Sequence, residues 1–440
     1  MKRKLIYIAL AGVLSISSVT AQDGGWTLRQ CVEYAIENNV SVQRTENLAE
    51  QSKVDVNTSK WARLPNLNGS ASQDYSWGRA ASPVDNSYSN TNNSTANFRL
   101  STNVPLFTGF QIPNQYALSK LDLKAAVEDL NKAKDDIAIE VASGYVKVLY
   151  NRELAMVAKE QVVLSKEQLN RMIRLQEVGK ASPAEVAESR ARVAQDQMSE
   201  VEANNNYSIA VLDLSQLLEL PTPDGFFVAT PDEEPNFEKL TPPDDIFVDA
   251  LTSKPEIMAA QYRLEGSEKS IRIAQSGYYP TLSFGAGLGS SFYTTKGHAG
   301  EDFVSQLDNH FNKYFGFTLS VPIFNRFATR NKVRTAKLQK LNYTLRLDET
   351  KKGLYKEIQQ AWYSAVASEA KYNSSVAAVD ANEESFRLMG EKFENGKATS
   401  IEYNEAKLNL MKALSDKIQA KYDYMFRSKV LNFYKGEPIQ

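Results

Sequence analysis

Two stretches carry paired glutamates at one spacing after a glycine. Glu185 and Glu188 follow Gly179 in EVGKASPAEVAESRARV, and Glu402 and Glu405 follow Gly396 in ENGKATSIEYNEAKL. Both stretches read as the end of a long helix, a tight turn at Gly-Lys-Ala-Ser/Thr, and the start of another helix. Residues three apart share a helical face, so each pair presents its carboxylates together. Other reactive side chains form no such set. His298 and His310 lie in one polar loop and make neither a catalytic triad nor a metal-ligand spacing. GAGLG at 285–289 lacks the lysine and following helix of a phosphate loop and falls within a strand-like alternation. There is no G-x-S-x-G. The single cysteine, Cys31, permits no internal disulfide and shares a helical face with Leu28, Val32, Ala35 and Ile36, which reads as a small buried side chain. Nothing here implies an enzyme, a cofactor or a bound metal.

The elements that must position the glutamates come next. A formal net charge of −2 over 440 residues argues against a nucleic-acid partner, which needs a basic face. Lys2, Arg3 and Lys4, then the apolar Leu5 to Val19 and the small residues of Val19-Thr20-Ala21, read as a signal peptide over 1–21, with Gln22 opening the mature chain. Its removal leaves 48 basic against 53 acidic residues. No later apolar run approaches the roughly 20 residues of a membrane helix. If the chain sits in a membrane, it does so with β-strands.

The chain repeats itself. Pro65 in LPNL matches Pro280 in YPTL, and Val40 matches Pro255, both at an offset of 215. Pro105 in VPLFTGF matches Pro322 in VPIFNRF, and Gly179 matches Gly396, both at 217. The expected organisation is a first repeat over 22–220, a Pro- and Asp-rich linker over 221–243 that packs across the outside, and a second repeat over 244–440. Each repeat opens with a helix, from Thr27 to about Arg63 in the first and from Pro243 in the second, where Pro255 interrupts it. Two strands of about a dozen residues follow. Leu67, Gly69, Ala71, Gln73, Tyr75 and Trp77 alternate with Asn and Ser; Phe98, Leu100, Thr102 and Val104 do likewise. In the second repeat Leu282, Phe284, Ala286 and Leu288, then Phe315, Phe317, Leu319 and Val321, oppose Gly, Ser and Thr. The polar faces are small and uncharged, which suits a pore lining better than a solvated surface. The connections near 79–94 and 294–310 read as polar external loops. A helix then runs from about Pro113 to Val178, and from about Ala328 to Phe393 in the second repeat. Roughly 66 residues at about 1.5 Å each make a rod of about 100 Å, with apolar stripes such as Leu338, Leu341, Leu345, Leu354 and Ile358. Shorter helices return through Ser182 and Thr399.

Four strands cannot close a barrel, and an open edge in lipid leaves backbone groups unpaired. Three copies would supply twelve strands and an open pore. With these parts in view the chain resembles the TolC-like outer-membrane efflux protein family over essentially its whole mature length. The likeness is carried by the tandem halves, LPNL and YYPTL, VPLFTGF and VPIFNRF, and the tips VGKASPAEV and NGKATSIEY. The resemblance implies a mainly α fold with a membrane β-barrel: a homotrimer with a twelve-stranded barrel in the Gram-negative outer membrane and a periplasmic α-helical tunnel. It implies a periplasmic adaptor as partner, an inner-membrane pump of RND or ABC type behind it, and outer-membrane lipid around the barrel. Gly179, Lys180, Ala181 and Ser182, with Gly396, Lys397, Ala398 and Thr399, match the family's adaptor-docking turns. Glu402 and Glu405 match its acidic constriction, with Glu185 and Glu188 as the counterparts in the other tip. Three copies would crowd these carboxylates, raise their pKa values by repulsion and draw cations to the mouth. The chain departs from the family at Phe393, where a latch tyrosine is usual, and no basic latch residue is matched in place. A periplasmic adaptor would carry one hairpin rather than two, and a general porin no long rods. Small-molecule efflux and type I protein secretion share one duct, and efflux is the reading preferred.

Overall fold

The computed structural model describes residues 25–81, 86–230, 240–295, 300–437 and 439. The expected signal peptide, residues 231–239 of the expected linker, and His298 lie outside the described residues. The chain begins with α1 (Leu28–Asn38), held at its start by a capping box between Thr27 and Gln30. The single helix expected to reach Arg63 is in fact two. Asn39 leaves helical geometry (φ −64°, ψ 127°), accepts from the Ser41 amide, and so starts α2 (Val40–Trp61). The second half breaks at the corresponding place. Lys254 is extended because Pro255 follows it, and it separates α5 (Pro243–Ser253) from α6 (Pro255–Gln275).

Four strands form one antiparallel sheet in the order β1-β2-β3-β4: β1 (Asn68–Ala81), β2 (Tyr88–Phe107), β3 (Thr281–Thr295) and β4 (Asn312–Ser320). Their lengths of 14, 20, 15 and 9 residues straddle the expected dozen. The register puts Ala71 opposite Phe98 and Phe98 opposite Ser290, while Phe284 faces Phe317. With period-two alternation this gathers Ala71, Phe98, Leu100, Leu288, Phe284, Phe317 and Leu319 on one face and mainly small polar residues, with Asp74, Arg99 and Tyr314, on the other. β1 and β4 are the open edges. The polar external loop expected before β4 contains a helix, α7 (Phe303–Asn309), because Asp302 caps it and Gln306 is buried against β3.

The rods are α3 (Gln111–Glu177) and α8 (Ala328–Glu394), each of 67 residues. They return as α4 (Pro183–Leu217) and α9 (Ser400–Tyr434), each of 35. Neighbouring elements lie in sheet-like order at every level: α2-α3-α6-α8 below the strands and α4-α3-α9-α8 toward the tips. The largest core lies where α1, α3 and α4 meet, around Cys31, Val141, Tyr145, Val148, Leu149 and Leu214. Phe226 and Val228 of the linker dock there, with the Tyr145 hydroxyl reaching the carbonyls of Trp26 and Ala229 at 3.1 and 2.6 Å. A second core joins Ile246, Ile257, Leu354, Ile358 and Leu431. Leu338, Leu341 and Leu345, expected to pack with that stripe, stand 63%, 55% and 58% exposed on the outer edge of α8. Among the described residues no helix is long and apolar enough to cross a membrane.

Candidate functional site

Each tip is built from two consecutive capping motifs. At the end of α3, Gly179 adopts φ +72°, its amide donates to the Gln176 carbonyl at 2.9 Å, and the Lys180 amide donates to Leu175 at 2.7 Å. At the end of α8, Gly396 adopts φ +71°, with the Gly396 amide on Phe393 (3.1 Å) and the Lys397 amide on Lys392 (2.8 Å). This paired-bond helix stop requires a left-handed residue, which glycine adopts without a Cβ penalty. Two residues on, the chain enters the next helix. The Glu185 amide donates to Ser182 Oγ (3.3 Å), and the Ser182 amide donates back to Glu185 Oε2 (2.7 Å). Thr399 and Glu402 repeat the arrangement at 3.2 and 2.8 Å.

The two glutamates of each pair therefore differ in kind. Glu185 and Glu402 are caps. The backbone N–H and hydroxyl of Ser182 and Thr399 donate to them and hold their carboxyls below the usual range. Within one chain this runs opposite to the raised pKa expected from crowding. Glu188 and Glu405 lie one turn further and stand exposed. The capping role was legible as S-x-x-E and T-x-x-E, a signal that the search for acidic rings passed over.

Contacts within the second hairpin and between the two hairpins complete the site. Phe393 stacks on Tyr403 of α9 at 5.1 Å between ring centroids and 21° between planes. The guanidinium of Arg171, from α3, sits 5.4 Å from the Phe393 ring centre and bonds Glu394 at 3.3 Å. The cation near the departing Phe393 thus comes from α3. Roughly 10 Å along α9 from its start at Ser400, at about 1.5 Å per residue, lies a buried polar cluster. Lys407 of α9 donates to Asp196 Oδ2 of α4 (3.1 Å), to the hydroxyl of Ser165 and to the Gln161 carbonyl of α3 (3.2 Å). Asp196 also accepts from Gln161 Nε2 at 2.8 Å and from the Ser165 hydroxyl. Lys407 and Asp196 are 2% and 3% exposed, and every ammonium proton has a partner. Burial lowers the Lys407 pKa and Asp196 opposes that effect. Sequence reasoning missed this cluster. Its signal was a lone lysine and a lone aspartate on the apolar stripes Tyr403-Ala406-Lys407-Leu410 and Val186-Val193-Asp196.

A sheet whose strands feed rods of about 100 Å, ending in capped hairpin tips, defines an outer-membrane channel with a helical extension. The chain belongs to the outer membrane efflux protein family, whose profile matches residues 31–219 and 246–436. It is similar to outer membrane protein TolC of Escherichia coli K12: 22% identical over 431 residues, 96% of this chain and 84% of that protein. Alkaline protease secretion protein AprF of Pseudomonas aeruginosa is 22% identical over 349 residues, 77% of this chain and 69% of that protein. In fold it matches the Campylobacter jejuni CmeC outer membrane channel, with a TM-score of 0.78 at 20% identity over 94% of this chain and 86% of that one. The open-state Neisseria gonorrhoeae MtrE outer membrane channel matches with a TM-score of 0.76 at 18% identity over 97% and 94%. The protein is an outer-membrane efflux component of the Gram-negative envelope, reaching from the membrane into the periplasm.

Proposed function

We propose that three copies of this chain close into the exit duct of a tripartite efflux pump, with a twelve-stranded barrel above and a twelve-helix tunnel below. The carrying observation is that one copy is a four-element slice at every level, open on both edges. Its edges expose apolar side chains: Val54 and Trp61 on α2, Val201 on α4, and Leu338, Leu341 and Leu345 on α8. The duct takes small-molecule substrates from an inner-membrane pump through a periplasmic adaptor. Glu188 and Glu405 face the mouth as its exposed carboxylates, while Glu185 and Glu402 shape the helix starts beneath them. The turns Gly179–Ser182 and Gly396–Thr399 receive the adaptor. Residues 1–21 direct export, and 22–220 and 244–440 act as equivalent halves joined by 221–243. A relative named for a toluene efflux pump supports the small-molecule reading, and one named for alkaline protease secretion supports protein secretion as the second reading of the same duct.

The test is the mass of the protein gently solubilised from outer membranes, with the adaptor co-purified. A trimer is expected, and replacing Ala181 and Ala398 by Trp is expected to release the adaptor while the trimer persists. A monodisperse monomer refutes the duct; adaptor retained by the double variant refutes docking at the turns.

A further inference from the structure

We propose that α7 is a lipid-contacting rim helix: it rests in the headgroup boundary of the outer leaflet, and the groove beside it receives an acyl chain. The proposal rests on the barrel reading above. β4 pairs with β3 only from Thr281 to Gly289, so β3 from Ser290 onward has no strand on that side. α7 occupies the position. Gln306, 3% exposed, accepts from the Tyr293 amide at 3.0 Å, where a strand carbonyl would otherwise sit. The Leu307 carbonyl accepts from Ser290 Oγ at 2.6 Å, and His310 Nδ1 donates to the Ser291 carbonyl at 2.7 Å. The helix is therefore fixed to the wall of the sheet.

Its apolar side faces the same way as the apolar face of the sheet. Phe303 meets Phe292 at 5.1 Å and Phe98 at 6.4 Å between ring centroids, and both partners lie on that face. Yet Phe303 remains 47% exposed, Val304 71% and Phe311 48%. Beneath them runs a groove of about 520 Å³ whose lining includes Ala71, Phe98, Leu100, Leu288 and Phe311, together with Arg99, Ser70 and Ser290. The level in the membrane follows from the register. Phe292 pairs with Ala96 and Ala96 with Gln73, ten residues along β3 from Leu282. At about 3.3 Å per residue and a strand tilt near 40°, that is about 25 Å of height, the whole apolar band of a membrane barrel. Tyr75 and Trp77 extend from β1 just above that level, 63% and 74% exposed, as aromatic residues do at a bilayer interface. Lys313 sits on the outward face opposite Leu288, its ammonium 5.2 Å from the Phe311 ring centre. By the same arithmetic it lies about 10 Å below the Phe292 level, from where a lysine stem extends its charge upward toward lipid phosphates. Continuity with the lipid-facing sheet thus identifies the occupant as outer-leaflet lipid rather than another protein.

The test uses the full mature protein with Cys31→Ala, reconstituted in phosphatidylcholine–phosphatidylglycerol vesicles and nitroxide-labelled at one cysteine. Val304→Cys reports on α7, Phe315→Cys on the centre of the sheet's apolar face, and Asp224→Cys on the aqueous linker. The ratio of oxygen to nickel-chelate accessibility at 304 is expected to shift from the value at 224 toward that at 315. A ratio at 304 equal to that at 224 overturns the proposal. So does protection of 304 from both probes, which would mean that a neighbouring copy covers the helix. An aqueous ratio at 315 itself would remove the barrel reading and this proposal together.

Discussion

A buried ammonium with three partners makes the Lys407–Asp196 pair a cross-tie between α9 and the first hairpin. Replacing one member alone strands the other charge in the interior, which costs about 3–5 kcal/mol for such pairs, whereas replacing both with apolar residues is near neutral. Lys407→Met is therefore expected to lower the thermal midpoint markedly in detergent, and Lys407→Met with Asp196→Leu to recover most of the loss, both followed by far-ultraviolet circular dichroism. Equal midpoints for single and double variants would show that the pair is not a coupled unit. The tips make a second prediction. The folded pKa of Glu185 and Glu402 is depressed, so their contribution is present above the ordinary value of 4.5 and is lost as pH falls through the lowered one. Amide exchange at Thr399 and Glu402, corrected for its intrinsic rate, is expected to accelerate only once pH has fallen below the ordinary carboxylate range. Glu402→Gln keeps the cap without the charge and is expected to abolish that acid dependence. Glu405→Gln, by contrast, should reduce cation selectivity in planar bilayers without altering tip protection. The glycines and glutamates of both tips were readable because their spacing is local and repeated. The Lys407 cluster was not, because its four side chains come from three helices as much as 246 residues apart.

At the scale of elements, each strand-to-rod junction turns through two consecutive left-handed residues: Gly109 and Phe110 (φ +61° and +65°), then Arg326 and Phe327 (φ +54° and +61°). One motif thus carries glycine at a position where its repeat carries arginine. Space explains the difference. A Cβ on Gly109 would come within 2.6 Å of the Ser276 carbonyl oxygen and 2.9 Å of Tyr279 Cβ. Gly109→Ala is accordingly expected to destabilise by more than the ~1–2 kcal/mol of a left-handed L-residue, and Arg326→Gly to stabilise slightly by removing that cost. Chemical-denaturant midpoints of the two variants check this, and opposite signs are the required result. The motifs VPLFTGF and VPIFNRF showed that the junctions were equivalent. The backbone strain they share was invisible, since arginine gives no sign of a positive φ. The break at Asn39 escaped for a related reason: Pro255 announces its interruption by chemistry, while Asn39 acts only through the geometry of a cap.

On the scale of the whole molecule, long-range periodicity made the rods legible, while the fate of their stripes depends on copies not encoded as separate segments. Leu354 and Ile358 found partners inside the chain, and Leu338, Leu341 and Leu345, earlier on the same rod, did not. A stripe's spacing says that it will be buried but not by which chain. The lateral order answers that question, because α8 is the last element on one side at every helical level and α2 or α4 the last on the other. In the proposed trimer, closing the ring would bring α8 of one copy against α2 and α4 of the next. Fully burying a leucine side chain is worth about 1.5–3 kcal/mol, so on the proposed closure these three leucines would stabilise each seam. Leu341→Lys with Leu345→Lys removes that burial and places cations on every seam, while both positions remain solvent-compatible in a single copy. The expected outcome is a chain that keeps its helical circular dichroism but sediments as a monomer in detergent and gives no conductance in planar bilayers. A trimer of unchanged stability in the double variant would mean that this edge of α8 is not the seam, and that the slice closes by some other pairing of its edges.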